Sequence, residues 1–127
     1  MKKDISSRED IIRLVDKFYD HVRSDEVIGF LFNEIARVDW QKHLPRMYDF
    51  WENIVFQSGS YNGNPMIVHA QLHQKYPLSR RHFDRWLNLF ESTVDDLFEG
   101  EKARLIKMRA ASIAVVMQHN VIGKETG

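Results

Sequence analysis

A chain of 127 residues carrying 18 Lys plus Arg against 18 Asp plus Glu has no net positive field to attract nucleic acid or an anionic membrane surface. Its length suits a single domain able to bury roughly two thirds of the surface exposed by the unfolded form. Cysteine is absent, which excludes disulfides, thiolate metal sites and cysteine nucleophiles together. The first residues run straight into charge, and the longest apolar run, Ile113 to Met117, is too short for a membrane span. The expectation is a cytoplasmic protein with neither a membrane nor a nucleic acid as partner.

The first helix is predicted to open on a Ser6 and Glu9 capping box and to bury Ile11, Val15, Phe18, Tyr19 and Val22. Asp25 to Gly29 breaks it, and a short turn carrying Phe30, Leu31 and Phe32 follows. A second long helix runs from about Asp39 to the region of Gln57, with Trp40, Leu44, Met47, Trp51 and Ile54 as its apolar stripe. Pro45 lies within that stripe and predicts a kink near His43, or a helix that starts only there. Ser58 to Pro65 is turn chemistry throughout. A short helix after Pro65 carries Met66, His69, Ala70, Leu72 and His73 and ends before Pro77.

Ser79 caps a further long helix in which Phe83, Trp86, Leu87, Phe90, Val94, Leu97 and Phe98 keep the helical period, and Gly100 stops it. The last helix, from about Glu101 to Asn120, is expected to bury Leu105, Met108, Ser112, Ile113, Val116 and Met117, with residues 123–127 frayed. Four substantial helices, two short ones and no sustained alternation predict an all-α fold.

Several chemistries lack their residues. There is no Glu-x-x-His pair for a di-iron bundle, no His-Glu-x-x-His for a zinc peptidase, no Gly-rich phosphate cradle and no Gly-x-Ser-x-Gly elbow. What remains is imidazole among aromatics: His69 and His73 four residues apart, and His43 beside Trp40 and Met47. Fifteen aromatic residues, eight Phe, three Trp and four Tyr, are abundant for a helical protein, and a flat apolar cofactor needs aromatic walls, one axial base and a few polar groups.

Phe18-Tyr19, Phe32-Asn33, Trp40-Gln-Lys-His43, Phe50-Trp51, Tyr61-Asn-Gly-Asn-Pro65, Val68-His69 and His82-Phe83-Asp-Arg-Trp86-Leu, in that order over nearly the whole chain, resemble the third group of the truncated haemoglobins. The resemblance implies a globin-like two-over-two helical sandwich around haem b. It implies that His69 is the proximal iron ligand, with His73 one turn away as the competing assignment, and that Phe32 stacks on the haem. On the distal side it makes Tyr19 and Trp86 hydrogen-bond donors to bound ligand. It puts His43 at the distal histidine position, as ligand donor, swinging gate or sixth iron ligand.

Met47 and Trp51 are expected to line the distal pocket or pack on the porphyrin edge, and Arg46 to pair with a haem propionate. Lys75, Tyr76, Arg80 and Arg81 are further candidates at that edge. The implied function is binding of O2, NO or CO, with electrons from a reductase supporting nitric oxide dioxygenase or peroxidase-like chemistry. The chain would act as a monomer or weak dimer. A cofactor-free helical interaction module is the alternative from another class, and a haem-based sensor would need a separate partner to receive its signal.

Overall fold

The computed structural model describes residues 2–59 and 77–121, the last two by backbone alone. The described residues form four long helices, α1 (Arg8–Arg23), α2 (Trp40–Phe56), α3 (Arg80–Leu97) and α4 (Glu101–Val121), with a π-helical turn over Leu31–Ile35 between α1 and α2, and contain no strand. The protein is all-helical, as its apolar periodicity predicts. Helix α1 packs on α2 and α3, and α4 packs on α3 and α2. Their shared core is built from Phe18, Phe90, Val94, Ile106 and Trp51, all buried.

The first cap sits one residue later than expected. Ser7, not Ser6, is the N-cap, its hydroxyl accepting from Asp10 N at 3.4 Å, while Asp10 accepts in return from Ser6 N and Oγ at 2.9 and 3.1 Å. Two adjacent serines followed by two adjacent acids offer both registers, and sequence alone does not distinguish them. The stretch before α1 is tied down too. Ile5 is buried, and Asp4 reaches across the molecule to accept from Lys102 N and Ala103 N at 2.9 Å each, closing the open donors at the start of α4. Gly100 permits this approach, because its φ is +139° and a Cβ there would stand 2.6 Å from the Asp4 carboxyl carbon.

Helix α2 starts at Trp40 with Asp39 as its cap and runs through Pro45 to Phe56, so the alternative start near His43 does not occur. It ends on Gln57 in the left-handed region at φ 56°, with Gln57 N bonded to Asn53 O at 2.8 Å. A polar seam fastens α2 to α1: Arg8 pairs with Asp49 at 2.9 Å and Glu52 at 3.1 Å, and the Tyr48 hydroxyl donates to Asp16. Burial and that bond push the Tyr48 phenol up to about 12, so it remains a donor.

Helix α4 corrects the sequence reading most. Its buried face is Ala103, Ile106, Ala110, Ala114 and Met117, whereas Met108 is 67% exposed, Val115 65% and Val116 46%, and Ser112 also faces solvent. Following the larger apolar residues rotates the helix by about a quarter turn. The alanines are what let α4 close against α3 and α2, so the smaller side chains mark the packed face.

Candidate functional site

Phe18 and Tyr19, adjacent on α1, point into two connected aromatic groups. Phe18 lies edge-on to Trp86 at 5.7 Å and to Phe90 at 5.1 Å, and Trp51, Phe90 and Trp86 stack on one another, with Trp51 and Phe90 4.6 Å apart at 24°. Tyr19 packs 4.9 Å from Phe18 on one side and 5.3 Å from Trp40 on the other. Phe32, brought in by the π-turn, stacks on Trp40 and meets Tyr19 at 6.2 Å, and the Arg23 guanidinium covers the Trp40 ring at 4.9 Å. Neighbouring rings therefore fix both side chains that the resemblance makes distal donors.

The polar groups meet at this seam. His43 Nε2 lies 3.3 Å from the Tyr19 hydroxyl, with the imidazole edge-on to Tyr19 and to Trp40. Tyr19 is 5% exposed, and burial raises its pKa well above the ordinary tyrosine value, so the phenol keeps its proton throughout the physiological range. Trp86 is half-buried, and among the described residues none accepts from its indole N–H. Arg85, beside it on α3, grips Asp25 through Nε and an Nη at 2.8 and 2.6 Å, and Asp25 also accepts from Val27 N and Ile28 N. Burial alone would raise the Asp25 pKa, but the bonds from Arg85, Ile28 and Val27 outweigh it and hold the carboxyl below its usual range. This pair ties the α1 exit to the helix that carries Trp86.

The sequence-derived site residues divide accordingly. Tyr19, His43, Phe32 and Trp40 are brought together, and Trp86 joins them through Phe18. Trp51 is in the core at 2% exposure, where it braces Trp86 instead of forming an open wall. Met47 lies one turn from His43 on α2, partly buried against the core, and Arg46 is exposed with no ion-pair partner among the described residues. His69, His73, Lys75 and Tyr76 lie outside the described residues. Missed by the sequence reading were the Arg23 cover on Trp40 and the Asp25–Arg85 clamp, since neither pair shares a periodicity that links its members.

A flat apolar group fits these surroundings. Phe32, Trp40, Leu44, Met47 and Trp86 are large apolar side chains packed against the core yet each left partly accessible, and the polar atoms beside them are a neutral phenol, an imidazole and an indole N–H. Such a set offers hydrogen-bonding groups for partial negative charge on a small ligand.

This helical arrangement, with its aromatic face and donor set, is that of a globin. The bacterial-like globin family profile matches residues 3–120, and the chain belongs to that family. It is 31% identical over 122 residues to the group 3 truncated hemoglobin ctb of Campylobacter jejuni, covering 94% of each protein. The crystal structure of group III truncated hemoglobin from Campylobacter jejuni superposes with a TM-score of 0.82 over 95% of both chains, at 31% identity. The resemblance to the third truncated group thus holds in sequence and in fold, and membership of the globins implies haem-based ligand binding.

Proposed function

We propose that this protein holds haem b with His69 as the axial ligand and binds a diatomic gas, O2, NO or CO, on the side lined by Tyr19, Trp86 and His43. The observation that carries the reading is the convergence of a buried phenol, an imidazole 3.3 Å from it and an indole N–H without an acceptor among the described residues, all on one aromatic face. A haem held there supplies an open coordination position for the gas and, with electrons from a reductase, redox chemistry on oxygen, nitric oxide or peroxide.

The chain's own residues do the rest. Tyr19 and Trp86 would donate hydrogen bonds to the ligand, Phe32 and Met47 would give the haem apolar contact, and Trp51, stacked on Trp86, braces that ring. Arg46 and Tyr76 serve the propionate edge. Two donors favour retention over rapid release, so detoxification suits the site better than bulk oxygen carriage.

Hemin titration of the purified protein tests this. One equivalent should give a Soret band that shifts on reduction and CO addition, and His69→Ala should abolish that signature. Protein that stays colourless with added hemin would reject the proposal.

A further inference from the structure

The large hydrophobic side chains left most exposed among the described residues, Met108, Val115 and Val116, all belong to α4. An exposed apolar residue standing alone calls for no explanation, but a cluster on one helix forms a patch. Met108 and Val115 fall into a row. Glu101, Leu105, Met108, Ser112, Val115 and His119 succeed one another at steps of four, three, four, three and four residues, the spacing of the seam that two paired helices share. Leu105 is half-buried and the other five are exposed. The buried stripe of Ala103, Ile106, Ala110, Ala114 and Met117 lies on the other side of α4 and packs it on α3 and α2, so the row is spare to the fold.

The row has the same spacing from both ends. About Ala110, Glu101 and His119 stand nine residues out, Leu105 and Val115 five, and Met108 and Ser112 two. A two-fold contact sets each residue against the one that mirrors it. Two antiparallel copies of α4 therefore bring Leu105 to the partner's Val115 and the long Met108 to the small Ser112. At both ends a carboxylate meets an imidazole, and an N–H of either imidazole form can donate to it.

Charge selects this orientation. The first half of α4 exposes Arg104 and Arg109 beside the row, whereas residues 110–121 contain no Lys, Arg, Asp or Glu. Parallel copies would press each arginine toward its own counterpart. Antiparallel copies lay both beside the partner's uncharged half, where nothing repels them.

We propose that this protein forms a two-fold homodimer by antiparallel packing of α4 on α4 along the row from Glu101 to His119. The contact needs no haem and lies apart from the proposed gas site. One helix from each copy falls short of the about 800 Å2 per partner that a standard stable interface buries, so the dimer is weak and concentration-dependent, with a Kd of order 10–100 µM.

Sedimentation velocity of the full-length, hemin-loaded chain from about 5 µM to 1 mM tests this. The parent should pass from monomer to dimer across that range. Val115→Lys sets a cation against the partner's Leu105 twice over and should raise Kd more than tenfold, with an unchanged thermal melt at 5 µM, where both proteins are monomeric. Glu101→Lys should weaken association roughly three- to tenfold, because the change acts at both ends of the contact. Adding His119→Glu to it reverses both charges and should bring Kd back to within about twofold of the parent. A parent that stays monomeric at 1 mM, a dimer indifferent to Val115→Lys, or a charge reversal that fails to rescue Glu101→Lys overturns the proposal.

Discussion

On the proposed haem reading Tyr19 and Trp86 are the two ligand donors, and they differ in their present contacts: the Tyr19 hydroxyl shares a hydrogen bond with His43, whereas the Trp86 indole N–H has no acceptor among the described residues. Removing the Trp86 donor should therefore show its full effect: Trp86→Phe is expected to speed O2 release about tenfold, the equivalent of one net hydrogen bond of about 1.4 kcal/mol. Stopped-flow displacement of O2 by CO measures it, and an unchanged off-rate removes Trp86 from the distal set. A second residue on the same helix carries a pH dependence. His82 Nδ1 accepts from Ser79 N at 3.0 Å, so the cap requires neutral imidazole, and burial, aided by the Arg81 charge, lowers the His82 pKa below its ordinary value. A histidine depressed in the folded state stabilises fully above its unfolded value near 6.5 and loses that contribution as pH falls through the folded value. His82→Ala should thus cost about 0.5–1 kcal/mol at pH 7.5 and much less at pH 5, compared by urea melts at the two pH values. A cost that does not shrink in acid would show that Nδ1 is not the cap.

The same contrast between what is repeated along a helix and what is brought in from elsewhere decides how much of each element was legible. Periodicity predicts the extent of α2 and α3 closely, because their buried faces carry large apolar side chains, and Ser79 marks the start of α3; the start of α2 stayed open between Asp39 and His43 because of Pro45. Helix α4 was legible in extent but not in face, since its contact stripe is alanine and a reading weighted by size follows Met108 and Val116 instead. The π-turn at Leu31–Ile35 and the left-handed Gln57 have no sequence signal, because tertiary contacts select them against local preference. Tyr19 and His43, which the resemblance puts on one side of the site, are neighbours in the structure, whereas the Asp4 cap of α4 gave no signal because its partners lie 98 and 99 positions away. The face of α4 is directly testable. Ala110→Leu should destabilise by about 1–3 kcal/mol through overpacking, whereas Val115→Lys should stay within about 0.5 kcal/mol of the parent. Equal costs in thermal melts would mean that the packed face is assigned wrongly.

At the scale of the whole molecule the described helices separate two environments. Phe18, Phe90, Val94, Ile106 and Ala110 form a dry interior at 0% exposure, while Phe32, Trp40, Leu44, Met47 and Trp86 are only partly covered. The first set packs α1 and α4 against α3 away from water, and the second needs something apolar laid against it to stop contact with water. The protein without cofactor should therefore keep most of its helix content yet melt early, and a cofactor that covers the second set should act as a ligand of the native state alone. At free hemin about a thousandfold above Kd, that linkage is worth about 4 kcal/mol, or a rise in Tm of order 10 °C for a chain of this length. Circular dichroism melts with and without hemin measure the rise, and His69→Ala should forfeit most of it because weaker retention lowers the occupancy. A full Soret band with no gain in Tm would place the haem on the outside of the fold, and the aromatic face would then owe its exposure to some other partner.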